Sequence, residues 1–153
     1  MYNIWVAKST MLPFEVTSIN EEARCIAILP IKKSLAKSDP KYKEIKNLQR
    51  LMLSVLELPV NKLALITINY NEEEQFLVKQ KNSLTQKLLT YYHQSKLILQ
   101  FGSLDFLDLY YLACKKIFTR TILHPEYLLK NPEYKRQAYQ DLLSCKTQLA
   151  TLL

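Results

Sequence analysis

At 153 residues the chain is long enough to bury roughly 70% of its unfolded surface in one domain, and a composition of 48% hydrophobic and 23% charged residues excludes general disorder. Its one glycine, Gly102, excludes a P-loop or a dinucleotide fingerprint, because both need several glycines to bring backbone N–H groups up to phosphate. The net charge of +7 reads either as a solvated lysine-rich surface or as the footprint of a nucleic-acid binder. The tyrosines and phenylalanines favour the first reading, since most fall at core spacing instead of alternating with Arg along a strand as a base-stacking platform.

Residues 1–20 lack helical or strand periodicity, yet hold Trp5, Met11, Leu12 and Phe14, which is costly material to leave in water. They predict an N-terminal docking arm, poorly ordered alone, ahead of a single domain over 21–153. The competing reading packs the arm across the domain with Trp5 filling a groove. Cys25 to Leu29 predicts a buried strand closed by Pro30, and a polar basic connection follows. Asp39-Pro40 has the form of an N-cap with proline at the first helical position. Ile45, Leu48, Met52 and Val55, with Leu51 and Leu56 beside them, then predict a helical stripe, and Lys43, Lys46 and Arg50 a basic face pointing away from it, either a contact for an acidic partner or DNA or a merely solvated surface.

Leu63 to Ile68 predicts a second buried strand. Glu72 to His93 reads as mainly helical, with a possible fresh start at Asn82-Ser83, and Leu97 to Phe101 as a third strand ended by Gly102. Asp105 to Lys116 predicts a helix, and β-branched Ile117, Thr119, Thr121 and Ile122 favour a short edge strand. Pro125 and Pro132 bracket a short helical turn. Asn131-Pro132-Glu133 opens a last helix with Tyr134, Ala138, Leu142, Cys145 and Leu149 on one face. Apolar strands alternating with helices imply an α/β fold of three layers, a small, mostly parallel sheet flanked by helices.

The chain offers little for catalysis. His93 and His124 stand in different elements with no motif around them, and no Cys–His spacing fits zinc. Asp105 and Asp108 read as acids near a helix start, as do Glu72, Glu73 and Glu74. Cys25 and Cys145 read as small buried hydrophobes, with Cys114 less defined. Three scattered cysteines, the absence of a leader pattern and apolar runs too short to span a bilayer predict a cytoplasmic protein without cofactor, metal or membrane contact.

A series of landmarks in shared order resembles the psi-subunit family of bacterial DNA polymerase III. Trp5 stands for an N-terminal tryptophan peptide, Leu12-Pro13-Phe14-Glu15-Val16 for a Leu-x-x-Glu-hydrophobic stretch, and Arg24 to Ile28 for an Arg-led first strand. Asp39-Pro40 opens the first helix, Ile98 to Gly102 is a hydrophobic strand ending in glycine, and His124 to Pro132 followed by Lys135 to Tyr139 resembles the C-terminal pattern. The family's Leu-Gly-Ile ahead of the tryptophan is absent. The resemblance implies a non-catalytic accessory subunit of the clamp loader, with a three-layer domain of uracil-DNA-glycosylase-like topology. It further implies that the N-terminal peptide docks on the tau/gamma ATPase while the domain binds the chi subunit, leaving DNA contact indirect or weak. Two alternatives stand beside it. One is a glycosylase-like nucleic-acid-binding or repair protein, for which His124-Pro125-Glu126-Tyr127-Leu128 faintly resembles the His-Pro-Ser-Pro-Leu loop; but Pro30-Ile31-Lys32-Lys33 stands where a water-activating loop is needed. The other is an adaptor or chaperone unrelated to replication.

Overall fold

The computed structural model describes residues 14–16, 21–71, 78–103 and 105–152. Strands β1 (Phe14–Val16), β2 (Cys25–Lys32), β3 (Leu63–Tyr70), β4 (Leu97–Phe101) and β5 (Phe118–Ile122) form one sheet in the order β1-β3-β2-β4-β5. β1 runs antiparallel to β3 at one edge, and the other four strands are parallel. The helices are α1 (Pro40–Leu53), α2 (Val78–Tyr91), α3 (Leu109–Cys114), α4 (Pro125–Lys130) and α5 (Lys135–Leu152), with 3-10 turns at Ser54–Leu56, Val60–Lys62 and Pro132–Tyr134. Among the described residues no helix is long and apolar enough to cross a membrane.

Both faces of the sheet are covered, and the strands show it residue by residue. In β2, Ile26 and Ile28 join one buried cluster with Leu84, Leu88 and Leu112, while Cys25, Ala27, Leu29 and Ile31 join another with Ile45, Leu142 and Leu149. Side chains along a strand alternate in direction, so a strand apolar throughout must be buried twice. The crossover β2–α1–β3 moves one way across the sheet, and β3–α2–β4 moves back over β2. Two crossovers of the same hand in opposite directions put their helices on opposite faces. Accordingly α1, α4 and α5 cover one side, and α2 and α3 the other.

Several expectations need correction. Pro30 does not close β2, which runs on to Lys32 in register with Tyr70. A residue's N–H and C=O point to the same side of a strand, and the Pro30 carbonyl faces His124, away from β3. The ladder to β4 has ended at Ile28↔Gln100, so the missing N–H costs no sheet hydrogen bond. The stripe of α1 is also rotated from the predicted one. Ile45, Gln49, Met52 and Leu53 are buried, whereas Leu51 is 69% exposed. α2 continues through Asn82-Ser83, because the Asn82 side chain bonds outward to Asp108 instead of capping a new helix. The helix expected from Asp105 begins only at Leu109; Phe106 and Leu107 fill the core from a loop, and Asp108 is the N-cap. Tyr134 is exposed in the 3-10 turn before α5, off the buried face of Ala138, Leu142, Cys145 and Leu149.

Other expectations hold. Asp39 caps α1 by accepting from the Lys41 N–H at 2.9 Å, and β5 is an edge strand. Phe14, placed in the arm by sequence, lies in β1, whose backbone pairs with Ile66–Ile68. Glu72, Glu73 and Glu74 lie outside the described residues.

Candidate functional site

In an open sheet whose strand order reverses, the loops leaving adjacent carboxyl ends diverge and leave a crevice. Here the reversal falls between β2 and β4. A cleft of about 270 Å³ lies at that point. Ile31, Leu35, Ile45 and Gly102 supply apolar lining, Lys32, Glu126 and Lys130 supply charge, and Tyr70 and Tyr127 supply rings.

His124, also in the lining, is held by both ring nitrogens. The Glu126 backbone N–H donates to Nδ1 at 3.0 Å, which leaves the proton on Nε2 to be donated to the Pro30 carbonyl at 2.7 Å. His124 is therefore the N-cap of α4 and at the same time a clasp on the end of β2. Burial holds its pKa below the ordinary 6.5, outweighing the Pro30 hydrogen bond and the Glu126 charge, which favour protonation. Gly102 sits beside the ring with φ +88°, a conformation that strains any residue with a Cβ. Burial alone would raise the Glu126 pKa, but the hydrogen bond and charge of Lys41, with the charges of Lys32 and Lys130, bring it below the usual carboxylate value. The Lys41–Glu126 ion pair closes at 2.9 Å.

Apart from His124 and Gly102, the residues singled out by sequence do not gather here. Trp5, Met11 and Leu12 lie outside the described residues. Lys43 and Arg50 are exposed on α1. Lys46 leaves that basic face: its aliphatic stem is half buried and its ammonium donates to Thr67 Oγ1 of β3 at 3.0 Å. Long lysine stems run along apolar surface in this way. His93 is exposed. Asp105 pairs with Lys81, while Asp108 accepts from Asn82 and from the Tyr111 N–H, so the two carboxylates do separate work. Cys25 and Cys145 are buried, burial pushes both thiols up, and Cys114 is exposed. Among the described residues no group of His, Cys, Asp and Glu could hold a metal ion.

Sequence reasoning missed the lysines and tyrosines of the cleft. The signal was there in Pro30-Ile31-Lys32 and His124-Pro125-Glu126-Tyr127, both noticed as stretches, but only the strand order brings them together. A second surface feature is apolar. Tyr139 and Leu143 form an i,i+4 pair exposed on α5, and Leu129, Tyr127 and Tyr134 are exposed on the neighbouring α4 and 3-10 turn. Tyr127 and Tyr134 lie 5.5 Å apart, centroid to centroid. No family model and no curated protein matches the chain.

Proposed function

We propose that the chain is a non-catalytic accessory subunit of the bacterial replicative DNA polymerase III clamp-loader complex, bridging the tau/gamma ATPase and the chi subunit in the cytoplasm. The observation that carries the protein-binding reading is the exposed apolar surface of α4 and α5. Tyr139 is 52% and Leu143 37% exposed on one helical stripe, and apolar side chains grouped on a surface mark interaction sites. The structural use of both His124 nitrogens supports a role without acid–base chemistry. The ordered landmarks of the psi-subunit resemblance supply the partners: Trp5, Met11 and Leu12 for the ATPase, the folded domain for chi.

Size-exclusion chromatography of the full chain with the ATPase and chi tests this directly, the expected result being one ternary complex. Trp5→Ala should release the ATPase and retain chi, while Tyr139→Ser with Leu143→Ser should do the reverse; a tryptophan anchor is commonly worth about 2 kcal/mol or more. A wild-type chain that binds neither partner overturns the reading.

A further inference from the structure

We propose that the free edge of β5 is a docking strand for an extended acidic peptide of a partner protein, added to the sheet backbone to backbone. This goes beyond the bridging role, which rests on the apolar surface of α4 and α5, and does not depend on it. The β4–β5 register fixes which backbone groups are already used. The Phe118 N–H donates to the Lys96 carbonyl at 3.1 Å, and the Ile122 carbonyl accepts from the Gly102 N–H at 2.8 Å. With Leu97 opposite Phe118 and Phe101 opposite Ile122, the residues Phe118, Arg120 and Ile122 all turn their N–H and C=O toward β4. Thr119 and Thr121 turn theirs the other way. Both are exposed, and these four backbone groups at the sheet edge have no partner among the described residues.

The side chains along this edge define what can pair with it. Ile122 belongs to the cluster under α5, so Phe118 and Arg120 share that face, and Arg120 donates to Ser144 Oγ of α5 at 3.5 Å. Arg120 makes no ion pair among the described residues, Asp141 included, and Phe118 is 46% exposed. Lys115 and Lys116 stand exposed just ahead of the strand. In an antiparallel addition Thr119 and Thr121 form the hydrogen-bonded pairs, which puts Phe118 and Arg120 at the sites where cross-strand side chains come closest. The matching strand therefore reads acidic-x-apolar, the acid opposite Arg120 and the apolar residue opposite Phe118, with further acids following toward Lys116 and Lys115. Basic residues at a sheet edge ordinarily keep copies of a chain apart. A second copy, at net charge +7, would bring the same three cations to this edge, and residues 1–13 of the chain hold no carboxylate. An acidic strand from another protein meets complementary charge instead.

The test is an NMR titration of the full chain with the end-blocked peptide Thr-Val-Glu-Val-Phe-Thr-Asp-Glu and with a twin carrying Lys in place of each acid. The acidic peptide should produce saturable amide shifts at residues 118–122, with a Kd of about 0.1 mM or below. The lysine twin should bind about tenfold more weakly, and Arg120→Glu should weaken the acidic peptide about fivefold while tightening the twin. N-methylation of the two valines flanking the glutamate should abolish binding, because those amides face Thr119 and Thr121, whereas N-methylation of the glutamate itself should not. Thr121→Pro removes an outward N–H and no bond to β4, so it should keep the thermal melt and lose the peptide. If that variant fails to fold, the methylated peptides decide on the unaltered chain. No saturable shift at ten times the expected Kd, equal binding of the lysine twin, or binding that survives methylation of both valines overturns the proposal. So does a dimer in sedimentation equilibrium that Thr121→Pro dissolves, which would assign the edge to a second copy.

Discussion

Lys116 occupies a position that helices usually give to glycine. Its φ is +59°, the Ile117 N–H donates to the Leu112 carbonyl at 2.9 Å, and the Lys116 N–H donates to the Ala113 carbonyl at 3.0 Å. Those two bonds are a complete Schellman motif ending α3, and Ile117 packs on the same buried cluster as Leu112. The left-handed conformation costs a residue with a Cβ about 1 kcal/mol. Lys116→Gly should therefore raise stability by about that amount, read as a higher urea midpoint with an unchanged slope. His124 gives a prediction of opposite character. Its folded pKa lies below its unfolded one, so its contribution is complete above the ordinary 6.5 and is lost as pH falls through the folded value. A proton on Nδ1 would displace the Glu126 N–H it now accepts. Stability should drop as pH falls below the ordinary 6.5, and His124→Asn, which keeps a capping acceptor but cannot titrate there, should flatten that part of the profile.

Among the elements, α2 and the loop into α3 are joined by polar contacts that the periodic pattern does not record. Asp108 caps α3 through the Tyr111 N–H at 3.0 Å and accepts from Asn82 of α2 at 2.9 Å. Its own N–H donates to Thr85 Oγ1, which in turn donates to the Lys81 carbonyl. The Asn82 hydrogen bond first, then the Tyr111 N–H, hold the Asp108 carboxyl below its usual range. Its contribution is present above the unfolded carboxylate pKa and fades as pH falls through the folded one. Asp108→Ala should lower stability at neutral pH and have a smaller effect in acid, a difference that denaturation at the two pH values would reveal. Equal losses at both would show that the carboxylate charge plays no part.

For the whole molecule, the two buried clusters share one sheet: Leu88 packs on one face and Leu142 on the other. Because β2, β3 and β4 each contribute side chains to both sides, the two clusters are joined through the same strands. Leu88→Ala and Leu142→Ala should each cost about 2–5 kcal/mol. Each variant should still unfold in a single transition by fluorescence and circular dichroism alike; separate transitions for the two would show that the layers unfold independently.

Strands β2 to β4 were legible because their apolar runs are continuous, as burial on two faces requires, whereas β5 was legible through its β-branched residues. The Asp39 cap was legible because its chemistry is local: a side chain and an N–H two residues away. What the chain could not disclose depends on neighbours distant in sequence. Leu51 and Gln49 exchange burial because the angle at which α1 lies on the sheet, not its own periodicity, selects the covered stripe. Lys46 leaves the basic face because Thr67, on another element, offers an acceptor. The cleft exists only through the reversal of strand order, which brings Pro30 within 2.7 Å of His124 across 94 positions of sequence. Local chemistry and periodic burial were written along the chain; the meeting of Lys32, Glu126 and Lys130 was decided by topology, since residues so far apart share a site only after the crossovers have been made.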